Sequence, residues 1–129
     1  MKEDYILMHV TEATENYLET ILILSNRLQE VHAIDICTEL GYSRPTVSVF
    51  LKGLREKGFI EVDANNHLWL TAAGRAIAEP IYERHTTLTR MLELMGVEPA
   101  VAAEDACKIE HDLSEETFQC IRRYLEQMK

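Results

Sequence analysis

Gly41-Tyr42-Ser43-Arg44-Pro45-Thr46-Val47-Ser48 is the stretch on which the reading of the fold turns. Glycine reaches the left-handed conformation that ends a helix without a Cβ clash, so Gly41 stops a short helix over residues 33–40. Ser43 is a side-chain N-cap, and Pro45 falls in the first turn that follows, where a missing N–H is harmless. Val47, Leu51 and Leu54 then form an apolar stripe at helical spacing, which leaves Thr46, Ser48 and Lys52 on other faces. Helix, glycine-containing turn and capped helix make a helix-turn-helix. Directly after it, Gly58-Phe59-Ile60-Glu61-Val62 reads as a strand, Asp63-Ala64-Asn65-Asn66 as a turn and His67-Leu68-Trp69-Leu70 as a returning strand. A hairpin in that place is the wing of a winged helix.

Working outward, Thr11 is an N-cap for a helix whose first turn holds Glu12 and Glu15, placed to favour the dipole. Tyr17, Ile21, Leu24 and Leu28 give its apolar stripe, with Asn16 and Glu19 on a more polar side. Thr71 caps a helix carrying Ile77, Ile81, Tyr82 and His85, in which Gly74 is tolerated at some cost. Pro80 lies inside that pattern and is expected to kink or break it. Leu88, Leu92 and Met95 mark a further helix closing at Gly96, Pro99 opens another, and Ser114 caps the last. The expected architecture is mostly α. A winged helix-turn-helix with a small β-hairpin wing occupies residues 1–79, and an α-helical lobe residues 80–129.

Composition narrows the function. With 129 residues and 47 % hydrophobic content, the chain is an ordinary soluble domain or two small lobes. No apolar run approaches membrane-spanning length, and Met1-Lys2-Glu3-Asp4 lacks the features of a signal peptide. A cytoplasmic protein is expected, with Cys37, Cys107 and Cys120 reduced. The formal net charge of −9 opposes nucleic-acid binding, but its distribution does not. Arg44, Lys52, Arg55 and Lys57 cluster with Glu56 as the only acid among them, while acids gather at the two ends.

Two sets of residues carry chemistry. In a helix-turn-helix the start of the second helix meets base edges, which nominates Ser43, Arg44, Pro45, Thr46 and Ser48, with Lys52 and Arg55 on phosphates or in solvent. Double-stranded DNA is the partner this implies. The run Cys107-Lys108-Ile109-Glu110-His111 places a thiol, a carboxylate and an imidazole at i, i+3 and i+4, which share one helix face. All three are divalent-metal ligands. Asn16 and Glu19 form another i, i+3 pair, and His85 stands alone between the two groups. Taken singly, Cys107 is equally a small buried hydrophobe, Glu110 a solvated residue and His111 a helix-end histidine. A zinc hydrolase would draw on the same residue types, but there is no HExxH helix, phosphate-binding glycine loop or nucleophile elbow. An enzyme is therefore not expected. A winged-helix regulator answering to a non-metal ligand is the alternative.

The chain resembles the diphtheria-toxin-repressor family of metal-dependent transcriptional regulators, including its manganese-transport-regulator branch. The likeness is carried by Thr14-Glu15-Asn16-Tyr17-Leu18-Glu19-Thr20-Ile21, by the residues from Ser43 to Ser48, and by Leu70-Thr71-Ala72-Ala73-Gly74-Arg75. It continues in Arg84-His85 and in Ala106-Cys107-Lys108-Ile109-Glu110-His111-Asp112-Leu113-Ser114. The resemblance implies a homodimeric repressor on operator DNA, regulating metal-ion homeostasis with one or two divalent ions per subunit. By position it assigns Asn16, Cys107, Glu110 and His111 to one metal site. Glu19 and His85 match a neighbouring site that shares Glu110. Asn16 stands where the manganese branch has Asp and the iron branch Met, whereas Cys107 matches the iron branch and Glu19 the manganese branch. Thr89 and Ala103 replace two further iron-branch ligands. A thiolate shifts preference from hard Mn²⁺ toward softer ions, so Fe²⁺ is expected first and Mn²⁺ next. The expected dimer face is the apolar side of the last helices, with Leu113, Phe118, Ile121 and Leu125.

Overall fold

A computed structural model describes residues 10–128; Met1 to Asp4 and His9 lie outside the described residues. Among the described residues, six helices and one two-stranded sheet follow one another, in two compact units that divide between Glu79 and Pro80.

In the first unit, helix α1 spans Glu12–Arg27, and the Thr14 amide donates to Thr11 Oγ1 at 3.1 Å, as a capping threonine should. Its burial is wider than one stripe, because Leu18 and Leu22 are buried along with Tyr17, Ile21 and Leu24. Leu28 is exposed instead, since the chain has turned to extended backbone at that C-cap. Helix α2 (Ala33–Leu40) ends at Gly41 with φ of 74°, which any Cβ would strain. Helix α3 (Arg44–Glu56) starts at Ser43 and buries Val47, Leu51 and Leu54, the stripe expected of it.

Strands β1 (Ile60–Val62) and β2 (Leu68–Leu70) pair antiparallel with Ile60 opposite Leu70. Ile60, Leu68 and Leu70 face inward, while Glu61 and Trp69 face solvent, so the period of two holds. Asp63 Oδ1 accepts from the amides of Asn65 and His67, which sets the turn, and Asn66 takes a φ of 63°. The strands are shorter than the sequence pattern suggests because Gly58, Phe59 and His67 serve the turns at either end.

Helix α4 (Ala72–Leu94) corrects the sequence reading. Pro80 does not break it, and the helix expected to carry Ile77 to His85 is continuous with the one expected over Leu88, Leu92 and Met95. Proline removes one donor, but its fixed φ is already helical, so a long helix tolerates the loss. Gly74 is also more than a tolerated cost. A Cβ there would collide with the Phe59 carbonyl oxygen, so the helix start and the root of the wing meet at contact distance.

The second unit comprises the rest of α4, then α5 (Pro99–Ile109) and α6 (Glu115–Glu126), the last capped by Ser114. Ile81, Leu88, Ala102, Ala106, Phe118 and Leu125 are buried. The expected dimer face is corrected in part: Phe118 and Leu125 are already buried within the single chain. Among the described residues, the large apolar side chains left exposed are Leu94, Met95, Val101, Ile109, Tyr124 and Met128. No helix among the described residues is long and apolar enough to cross a membrane.

Candidate metal centre and nucleic-acid interface

The run that nominated the metal ligands is not wholly helical. Helix α5 ends at Ile109, Glu110 is its C-cap, and His111 lies in the turn beyond. Glu110 keeps helical backbone with its N–H on the Ala106 carbonyl, so the shared-face argument covers it with Cys107, which is exposed, and fails only for His111. Glu110 continues the buried line of Ala102 and Ala106, and His111 is buried beside it. Glu110 has no exposed surface, and the His111 side chain is 3 % exposed. From α4, His85 Nδ1 lies 2.9 Å from Glu110 Oε2, and His111 Nε2 lies 3.5 Å from Glu110 Oε1. The structure thus brings His85, Glu110 and His111 together within the second unit.

Whether these residues suit a divalent ion can be judged from Glu110 itself. Its Oε1 is buried and accepts no hydrogen bond among the described residues. Leaving a buried carboxylate oxygen unsatisfied costs more than about 1–3 kcal/mol, so such an atom calls for a cation or a donor. Two imidazoles flanking a carboxylate form a nitrogen–oxygen donor set that binds first-row divalent metals. The donors fit. In the first unit, α1 carries Glu19, which is buried and not on the polar side expected of it, and Asn16, which is half-buried.

One residue of this region enters the sequence reading only as part of the family resemblance, with no role assigned to it. Arg84, beside His85, donates through Nη1 to the carbonyls of Glu110 and Leu113, and through Nη2 to Glu115 Oε2 at 2.9 Å. Hydrogen bonds from the Gln119 amide and from Arg84 hold the Glu115 carboxyl below the usual carboxylate range. Adjacency to His85 was the only sequence signal for Arg84, because its partners lie 26 to 31 residues away.

On the first unit Ser43, Arg44, Pro45, Thr46, Ser48 and Lys52 are all exposed. A cleft runs alongside them, lined by Arg44, Ser48, Lys52 and Arg55 from α3 and by Asn65 and Asn66 from the wing. The two asparagines were missed as contributors, since only the hairpin's return places them beside α3. Val49, 74 % exposed, was missed too; it falls off the Val47–Leu51–Leu54 stripe, and that offset was the available signal. Behind this face, Tyr17 of α1 stacks on Phe50 of α3, with ring centroids 4.1 Å apart and planes 8° from parallel. Burial, with Tyr42 and Cys37 near, pushes the Tyr17 phenol up.

Comparison with known proteins agrees with both halves. Residues 9–68 match the iron dependent repressor N-terminal DNA binding domain, and residues 71–129 its metal binding and dimerisation domain. The transcriptional regulator MntR of Escherichia coli O6:H1 is 36 % identical over 116 residues, 90 % of this chain and 75 % of that protein. The iron-dependent repressor IdeR of Mycobacterium leprae is 32 % identical over 108 residues, 83 % of this chain and 47 % of that protein. Among solved structures, T. acidophilum IdeR superposes with a TM-score of 0.78 at 24 % identity, over 87 % of this chain and 53 % of that one. A manganese-dependent transcriptional repressor in complex with manganese gives 0.79 at 23 % identity, over 88 % and 52 %. The chain spans about half the length of these solved proteins, and they share its fold. With one domain matched for DNA binding and the next for metal binding and dimerisation, the chain belongs to the iron dependent repressor family of metal-dependent transcriptional regulators, which are DNA-binding proteins and not enzymes.

Proposed function

We propose that this chain acts in the cytoplasm as a homodimeric repressor that binds operator DNA when loaded with Fe²⁺ or, next in preference, Mn²⁺. The observation that carries the reading is Glu110, a fully buried carboxylate flanked by His85 and His111, with one oxygen accepting no hydrogen bond among the described residues. Residues 1–79 are assigned to DNA binding and 80–129 to dimerisation and metal binding. Asn16, Cys107, Glu110 and His111 would hold one ion. Glu19 and His85, sharing Glu110, would hold a second where two bind. A bound ion supplies positive charge and directional coordination bonds to these side chains. The Cys107 thiolate favours Fe²⁺ over Mn²⁺ and makes affinity rise with pH near neutrality.

As the family resemblance implies, occupancy of these ligands would govern the arrangement of the recognition helices. A dimer reads two half-sites about one helical turn apart, ~34–36 Å. Few metal-free dimers would hold that spacing, and coordination by Glu19, His85, Glu110 and His111 enriches those that do. By linkage, operator DNA must tighten metal binding by the same factor. At the DNA, Ser43, Arg44, Pro45, Thr46 and Ser48 would meet base edges and Lys52 a phosphate.

Anaerobic titration of the apo dimer with Fe²⁺, Mn²⁺ and Zn²⁺, read by stoichiometry and by anisotropy of labelled genomic fragments, tests the reading. Glu110→Ala is expected to lose metal-stimulated DNA binding while remaining a folded dimer. An unaltered metal response in that variant would overturn the ligand assignment.

A further inference from the structure

Arg84 and His85 are consecutive residues of α4, and both grip Glu110. His85 Nδ1 meets its carboxylate at 2.9 Å, while Arg84 Nη1 donates to its backbone carbonyl at 3.1 Å. The same Nη1 donates to Leu113 O, Nη2 bonds Glu115, and the guanidinium carbon sits 5.3 Å from the centroid of the Phe118 ring. The side chain is 13 % exposed, against 70 % for Glu115.

The chemistry of a helix end explains why this grip matters. The last carbonyls of a helix have no partner within it, and here the chain leaves α5 through Glu110, His111 and Asp112 before Ser114 caps α6. A turn of that kind is free to vary unless something outside it fixes both ends. A guanidinium offers five donors in a rigid plane, which one side chain can spread over several acceptors. Arg84 binds the carbonyl at the start of the turn, the carbonyl at its finish and the first carboxylate of the next helix. Glu110 and His111 lie inside the span it fixes.

We propose that Arg84 is a positioning residue for the metal site: it sets the backbone from Glu110 to Leu113 so that both ligands face His85, and metal affinity depends on it without contact to the ion. The inference rests on the metal-site reading above. Removal of groups that orient ligands typically weakens metal binding about 10–100-fold.

The test uses the full-length dimer with Arg84→Ala, Arg84→Lys and Glu115→Gln, with Glu110→Ala as reference. Mn²⁺ affinity is measured anaerobically against a fluorescent chelator, together with melting of the metal-free dimer and the Mn²⁺ electron paramagnetic resonance spectrum. Arg84→Ala should bind Mn²⁺ about 10–100-fold more weakly with a changed spectrum. Arg84→Lys should fall between it and the parent, because an ammonium cannot span all three acceptors. Glu115→Gln leaves both carbonyl bonds in place and should stay within about twofold. If Arg84→Ala does not fold, the Lys variant decides. Parental affinity in whichever Arg84 variant folds, alongside a large loss in Glu110→Ala, overturns the role of Arg84 alone. Parental affinity in Glu110→Ala overturns the site reading itself.

Discussion

Two residues carry more of this molecule than their chemistry announces. Glu110 is an acid with no exposed surface, and its burial beside imidazoles sets it apart from a solvated helix residue. Gly74 is the second. Its conformation is ordinary, but a methyl group at its Cα would collide with the carbonyl of Phe59 and crowd Leu70. Backbone cannot step aside as a flexible side chain can. Gly74→Ala should therefore destabilise the first unit by about 1–3 kcal/mol, the usual cost of overpacking, despite alanine's better helix propensity. Urea denaturation measures this, and a variant as stable as the parent would mean the wing root yields freely.

At the scale of elements, α4 is the instructive case. Twenty-three residues run as one helix through Pro80, which is exposed. An interior proline costs up to about 3 kcal/mol relative to alanine, and no buried contact of the ring offsets that here. Pro80→Ala should raise the melting temperature of the metal-free protein. A fall would show that the proline stiffens the helix in a way its hydrogen bonding does not reveal. The pairing of α1 with α3 is more direct: the Tyr17–Phe50 stack joins the helix bearing Asn16 and Glu19 to the helix bearing Arg44 and Ser48. A shift of α1 is felt at α3 because close-packed aromatic rings do not compress.

For the whole molecule, charge decides how DNA is met. A net charge of −9 would repel a duplex if it were spread evenly. Arg44, Lys52 and Arg55 instead line one cleft beside the recognition helix, so attraction is local and held against a repulsive background. Binding should then be steep in salt. Lys52→Ala should weaken every DNA sequence alike and lower the salt slope by about 1, measured by anisotropy from low to physiological salt. A sequence-dependent loss would instead move Lys52 from phosphate contact to base reading.

The fold was legible wherever local rules decide it. Caps at Thr11, Ser43 and Ser114, the stop at Gly41, the stripe of Val47, Leu51 and Leu54, and the alternation in the wing all depend on neighbours a few residues apart. These are short-range preferences, and they place a winged helix ahead of a helical lobe. The tertiary structure alone decided the rest. It ended α5 at Ile109, buried Glu110 and His111, and gave Arg84 acceptors 26 to 31 residues distant. It also buried Glu19 on a helix face that periodicity reads as polar. Periodicity reports only what lies one helical turn away, whereas the burial of a charge depends on which distant groups come to share its space.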